Sequence, residues 1–178
     1  MNRITPEDLQ NYYEQSVLGM LSEDPWLKEF FAHPHLYNIM DGFSRIHAAY
    51  HACYPFMFLV ARHLHPDFIL ELGTELGRGM ISLHLGCPTA EICSVDFLEV
   101  TGPADYVKPA ADWSKCSLFC GMSTDWGKAN PDRKIDLLLI DSAHTYDVTL
   151  EEWKLYRPMM TKGGVMMFDD LNCEGVMK

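Results

Sequence analysis

Basic side chains are scarce in this sequence: 14 Lys and Arg face 25 Asp and Glu over 178 residues, for a formal charge of -11. That shortage disfavours nucleic acid or an anionic membrane surface as the main partner. No apolar run approaches the roughly 18 residues that a membrane-spanning helix needs. The opening stretch, MNRITPEDLQNYY, lacks the basic-then-apolar order of a signal peptide. These absences predict a soluble, cytoplasmic protein whose partner is a small molecule or another protein. None of the six cysteines (Cys53, Cys87, Cys93, Cys116, Cys120, Cys173) belongs to a C-x-x-C pair. The missing spacing argues against a cysteine metal site and for reduced, packed thiols. Internal repeats and low-complexity tracts are absent as well.

What is present is apolar: 48% of residues are hydrophobic and 12% aromatic, enough for one domain with a substantial core. The first third reads as helical. TPEDLQNYYEQSVLGML carries Thr5 as N-cap, Pro6 in the first turn and acids at Glu7 and Asp8, and DPWLKEFFAHPHLYNIM repeats the start signal. SRIHAAYHACYPFMFLVARHLH extends a third helix, with Pro55 expected to kink it or divide it in two. Residues 1–66 are thus expected to form a helical cap or lid. After Pro66 short apolar runs alternate with helical stretches, the pattern of a mostly parallel sheet. Five strands are expected, at residues 68–72, 91–95, 116–120, 135–140 and 164–168. The clearest helix between them is YDVTLEEWKLYRPMM, with Val148, Trp153 and Tyr156 on an inward stripe.

Three stretches carry chemistry. In FILELGTELGRGMISL a strand enters a turn and then a helix. Gly73 permits the tight turn, Gly77 lets the helix start pack near the strand, and the helix N-terminus offers unbonded N–H groups. This is not the G-x-G-x-x-G fingerprint, since the interval between these glycines is four. Asp96 closes the run EICSVD, 25 residues after Glu71, near where an acid meets a ribose in nucleotide-binding α/β folds. In LLLIDSAHTYD, Asp141 ends the fourth strand, and His144 and Tyr146 follow. In MFDDLN, Asp169 and Asp170 end the fifth strand. The cluster His33, His35, His47, His51, His63 and His65 has no distinctive third-ligand spacing, so it reads as helix-surface and core-edge histidines.

ELGTELGRG followed by SVD resembles the cofactor-binding half of class I S-adenosylmethionine-dependent methyltransferases. The resemblance implies that Glu71, Gly73, Thr74 and Gly77 line the site of the methionine part and that Asp96 binds the ribose. It places Gly121, Met122 and Ser123, from FCGMSTDW, beside the adenine. IDSAHTYD resembles the corresponding stretch of a subgroup that includes small-molecule O-methyltransferases and cephalosporin hydroxylase-like proteins. With FDD it also resembles the metal site of catechol-type and macrolide-sugar O-methyltransferases, which implies Asp141, Asp169 and Asp170 as Mg²⁺ ligands. Three carboxylates meeting at one sheet edge would repel one another unless a cation or protons neutralised them. His144 is then either the general base that removes the substrate proton or a group that orients a carboxylate or the cofactor.

The implied fold is α/β: a Rossmann-like, mostly parallel sheet over residues 67–178 behind an N-terminal helical cap. The likeness runs from about residue 67 to 172, and the C-terminal strands usual in that fold are expected to be missing. An uncovered sheet edge makes a homo-oligomer an expectation too. The implied activity is Mg²⁺-assisted O-methylation of a small-molecule hydroxyl. The alternatives are a cephalosporin hydroxylase-like or other non-methylating enzyme on the same fold, or a non-catalytic cofactor-binding or scaffold domain.

Overall fold

A computed structural model of the chain describes residues 50–98 and 114–169, together with Glu7, Asn11 and Lys28. Those three residues are helical and fall in the first two expected helices; the rest of both helices, Asp170 and Cys173 lie outside the described residues.

The described elements run in the order α1 (Tyr50–Leu64), β1 (Phe68–Leu72), α2 (Arg78–Gly86), β2 (Glu91–Asp96), β3 (Cys116–Cys120), α3 (Ser123–Ala129), β4 (Ile135–Ile140), α4 (Tyr146–Tyr156), a 3₁₀ turn (Arg157–Met159) and β5 (Met160–Phe168). The five strands form one sheet in the order β3-β2-β1-β4-β5, and every pairing is parallel. This is the Rossmann-like α/β architecture that the strand pattern predicted. The chain fills one side of β1 first and then returns to the other, so the strand order reverses between β1 and β4. A crevice opens at such a reversal, beyond the carboxyl ends of the strands.

Burial follows from strand position. FILEL and IDLLLI are buried at every residue because β1 and β4 have strands on both edges and helices on both faces. Alternate residues feed two cores. Ile69, Ile92, Leu137, Leu139 and Met167 meet Met57 to Ala61 and Leu64 of α1 and Met80, Ile81 and Leu83 of α2. Leu70, Leu72, Cys93, Val95, Leu138 and Ile140 meet Trp126 of α3 and Tyr156 of α4 on the other face.

One expectation is narrowed and another changes. Helix α1 continues through Pro55 without dividing. An internal proline costs about 3 kcal/mol in an isolated helix, and here Met57 to Ala61 and Leu64, which follow it, are buried in the core shared with α2. Backbones approach closely there, since a Cβ on Gly86 would stand 2.4 Å from the Phe58 carbonyl oxygen. The end of the helical prefix is therefore part of the main core. The fifth strand begins at Met160 rather than at Gly164. The register against β4 shifts between Ile135 and Leu137, with Gly163 at φ 93° beside the irregularity. The paired glycines mark a bulge inside the strand, where they had read as its start.

Among the described residues no helix is long and apolar enough to cross a membrane.

Candidate active site

The sheet register brings the chemistry-bearing residues into one row. Leu72 pairs with Val95 and Ile140, Asp96 with Cys120, and Ile140 with Phe168. The next residue on each strand is held by one further ladder bond. Gly73 N–H donates to Val95 O (2.8 Å), Gly121 N–H to Asp96 O (2.8 Å), Asp141 N–H to Leu72 O (2.8 Å) and Asp169 N–H to Ile140 O (3.0 Å). Gly73, Asp96, Gly121, Asp141 and Asp169 thus stand side by side along the carboxyl edge. Only glycine fits the first of these positions: its φ is 101°, and a Cβ would lie 1.9 Å from the Asp141 carbonyl oxygen.

These five residues line a cavity of about 520 Å³, within the range of small-ligand sites. Met122, Ser123 and His144 line it too, so eight of the expected site residues share one wall. Helix α1 closes the opposite side with Cys53 and Tyr54, and the start of α2 contributes Arg78. The charged residues of the walls are mainly acidic: Glu75, Asp96, Asp141, Glu152 and Asp169 stand against Arg78 and His144.

Asp96 organises the first loop. Its Oδ2 accepts the backbone N–H groups of Thr74 (3.0 Å) and Glu75 (2.9 Å), and its Oδ1 that of Leu98 (3.0 Å). A carboxylate offers about four acceptor sites. The turn is thereby pinned to β2, and Asp96 keeps room for another donor.

Glu71, Thr74 and Gly77 lie behind the cavity wall instead of on it. Glu71 is buried against Gly79, accepts hydrogen bonds from the Ser94 hydroxyl and the Met80 N–H, and has its pKa pushed up to about 8, chiefly by burial. Ser94 Oγ in turn lies 2.6 Å from Thr74 Oγ1. Gly77, at φ 76°, is the N-cap of α2, and its N–H returns to Thr74 O. All three shape the loop from beneath.

His144 adopts the left-handed region at φ 45°, uncommon outside glycine, and so reverses the chain between β4 and α4. The reversal sets its Nε2 3.1 Å from Asp141 Oδ1. Asp141 and Asp169 both bear electrostatically on Cys53: burial first, then these two charges, push its thiol up to about 12. The thiol therefore stays protonated and is not a nucleophile at neutral pH. Tyr54 is also pushed up, first by burial, and hydrogen-bonds Arg78. Among the described residues no three His, Cys, Asp or Glu side chains gather as a metal site. The third expected ligand, Asp170, lies outside them.

Sequence reasoning missed Cys53, Tyr54, Arg78, Ser142 and Glu152. Of these Glu152 had a usable signal, because it stands four residues before Tyr156 in YDVTLEEWKLY. Glu152 and Tyr156 are the buried residues of α4, while Trp153, expected on the inward stripe, is only half-buried and lies under the Arg157 guanidinium, 5.3 Å from its ring centroid.

A family model described as a methyltransferase domain matches residues 70–171, from β1 to just past β5. The chain belongs to this methyltransferase family. No curated protein sequence matches it significantly. Among solved structures, the methyltransferase is similar to an O-methyltransferase from Bacillus cereus in complex with S-adenosylhomocysteine, with 19% identity, a TM-score of 0.64, and coverage of 94% of this chain and 77% of that one. It is similar to an O-methyltransferase of tomaymycin synthesis from Streptomyces achromogenes, in complex with S-adenosylmethionine, at 17% identity and a TM-score of 0.62 over 92% and 74% of the two chains. A TDP-rhamnose 3'-O-methyltransferase of calicheamicin biosynthesis matches at 21% identity and a TM-score of 0.57, over 99% and 84%. At these identities the likeness speaks for the fold, which is the one built above from strand order and register.

Proposed function

We propose that this methyltransferase uses S-adenosylmethionine to methylate a hydroxyl of a small molecule, with Mg²⁺ helping to place and acidify that hydroxyl. The observation that carries the reading is the single row Gly73, Asp96, Gly121, Asp141 and Asp169 along one edge of the cavity. Two of the structural neighbours are complexes with S-adenosylmethionine or S-adenosylhomocysteine, which supports the choice of cofactor.

When bound, S-adenosylmethionine supplies a methyl group on a positively charged sulfur. The acidic walls suit that charge. Asp96, already aligned by three backbone N–H groups, accepts ribose hydroxyls with its remaining capacity. The Gly73 turn lets the ligand approach the backbone closely, and Gly121 to Ser123 flank the base. Asp141 faces His144 through Oδ1. With the imidazole proton on Nε2, the basic nitrogen is Nδ1, and Asp141 stabilises the imidazolium formed when the ring takes a substrate proton. Asp141 and Asp169, with Asp170, are the oxygen donors that would hold Mg²⁺, a cation that prefers hard ligands and retains water or substrate positions.

Calorimetric titration tests this reading. S-adenosylmethionine is expected to bind without metal, NAD to fail, and Asp96→Ala to weaken S-adenosylmethionine binding by about tenfold or more, the scale of a lost charge-assisted hydrogen bond. Mg²⁺ is expected to bind the parent and to bind Asp169→Asn more weakly. Absence of S-adenosylmethionine binding by folded protein refutes the cofactor assignment, and equal Mg²⁺ affinity in Asp169→Asn and parent refutes the metal assignment alone.

A further inference from the structure

Helix α4 brings to the cavity an acid, Glu152, that the proposed chemistry does not use. Glu152 is fully buried yet borders the cavity. Its Oε1 accepts the Ser123 hydroxyl at 2.6 Å, and its two carboxyl oxygens lie 2.9 and 2.7 Å from the Ser142 hydroxyl. One turn later the Tyr156 hydroxyl donates to the backbone carbonyl of the same Ser123. Ser123 opens α3, just after Gly121 and Met122; Ser142 follows Asp141 directly. These two loops come from strands on opposite sides of β1, separated by β2 and β1 in the sheet. Among the described residues no backbone hydrogen bond ties one loop to the other.

We infer that Glu152 is a positioning residue that clamps the loop after β3 and the loop after β4 to one helix, fixing the base-side wall and the Asp141–His144 pair relative to each other. In its first arm the inference rests on the proposed cofactor reading, because it takes the Gly121–Ser123 loop to meet the cofactor.

The chemistry suits a clamp. A buried acid needs partners for its oxygens, and two serine hydroxyls supply them. Burial raises the Glu152 pKa, opposed by the two serine hydrogen bonds, so the same contacts that hold the loops also favour its charged form. Among the described residues neither serine donates to another side chain, so losing Glu152 removes the side-chain anchor of both loops at once and leaves only Tyr156 on the Ser123 carbonyl. Glutamine keeps one acceptor and adds a donor, and a serine hydroxyl can receive that donor.

The test uses the full chain, with S-adenosylhomocysteine as the calorimetric probe and the His144 ring resonances followed by NMR in the ligand-free protein. Glu152→Ala is expected to weaken S-adenosylhomocysteine binding by about tenfold and to move the His144 resonances. Ser123→Ala should reproduce mainly the first effect and Ser142→Ala mainly the second, and Glu152→Gln should restore most of both. Should Glu152→Ala fail to fold, the two serine variants and Glu152→Gln decide. Folded Ser142→Ala with parent His144 resonances, together with Ser123→Ala of parent affinity, overturns the clamp. A parent that binds no S-adenosylhomocysteine counts against the cofactor reading, while the His144 resonances still judge the clamp.

Discussion

Buried or half-buried carboxylates stand at both ends of this sheet, and their partners differ in kind. At the amino end, Asp136 sits near the start of β4. Its Oδ2 accepts the N–H groups of Asp67 and Phe68 at 3.0 Å each, and its Oδ1 the Thr161 hydroxyl at 2.7 Å. It joins segments about 25 and 68 residues away and does not line the cavity at the carboxyl end. At the carboxyl end, Asp141 of the same strand meets His144, three residues on, at the wall of the cavity. A carboxylate whose donors come from distant backbone closes the fold. One paired locally with a titratable ring, beside open volume, is available for chemistry. Strand direction produces the contrast: parallel strands direct all their outgoing loops to one edge, and the switch between β1 and β4 opens the crevice there.

Variants at the two ends should separate these roles. The largest effect is expected from Asp136→Ala, which strands the buried Phe68 N–H and removes the acceptor of the part-buried Asp67 N–H and Thr161 hydroxyl. At 1 to 3 kcal/mol for each orphaned donor, a loss of about 3 kcal/mol in denaturant unfolding follows, with S-adenosylhomocysteine affinity unchanged in the folded protein. A loss of affinity without loss of stability would erase the distinction between the ends.

Glu71 sharpens the comparison, because it lies at the carboxyl end yet serves the fold. Burial raises its pKa from the ordinary 4.5 to about 8. The folded state therefore keeps a proton that the unfolded chain releases as pH rises from about 4.5 to 8. The associated stability is fully present below that window and is lost across it. The slope approaches about 1.4 kcal/mol per pH unit. Glu71→Gln, which mimics the neutral acid, should flatten the fall in Tm between pH 5 and 8. Parallel pH profiles for variant and parent would show that Glu71 is charged in the fold.

The smallest effect belongs to the surface at the amino end. Arg133 pairs with Glu91 and stands 3.9 Å from the Phe68 ring centroid, but both charged side chains are well exposed. Arg133→Ala should cost no more than about 1 kcal/mol, and less in high salt. A larger, salt-independent loss would place Arg133 among the structural anchors with Asp136.

Much of this was legible beforehand where one residue type meets one physical demand. The apolar runs located the strands, most clearly β1 and β4, because interior parallel strands must be apolar on both faces. Gly73 and Asp96 were legible because a tight turn followed by an acid has few other uses. The rest was decided outside the local sequence. Pro55 breaks a helix by local rules, but packing against α2 holds the helix through it. Gly163 and Gly164 look like a strand start, but β4 continues the pairing past them. Glu152 was not singled out in the sequence, and Ser123 and Ser142, brought in from two other loops, make its burial tolerable. Glu71 was expected on the cavity wall, but alternation along β1 sends its side chain under the loop toward Gly79 and Met80.

The sequence by itself determined the strands, the turn glycine and the acids at the strand ends, since these depend on hydrophobic patterning and backbone freedom within a few residues. The tertiary structure alone decided which acids face the cavity and which are sealed behind it. It also decided that α4 would grip two loops far apart in the chain. The physical reason is that the partner of a buried charge is chosen by strand register and crossover, and those bring together residues that no local spacing relates.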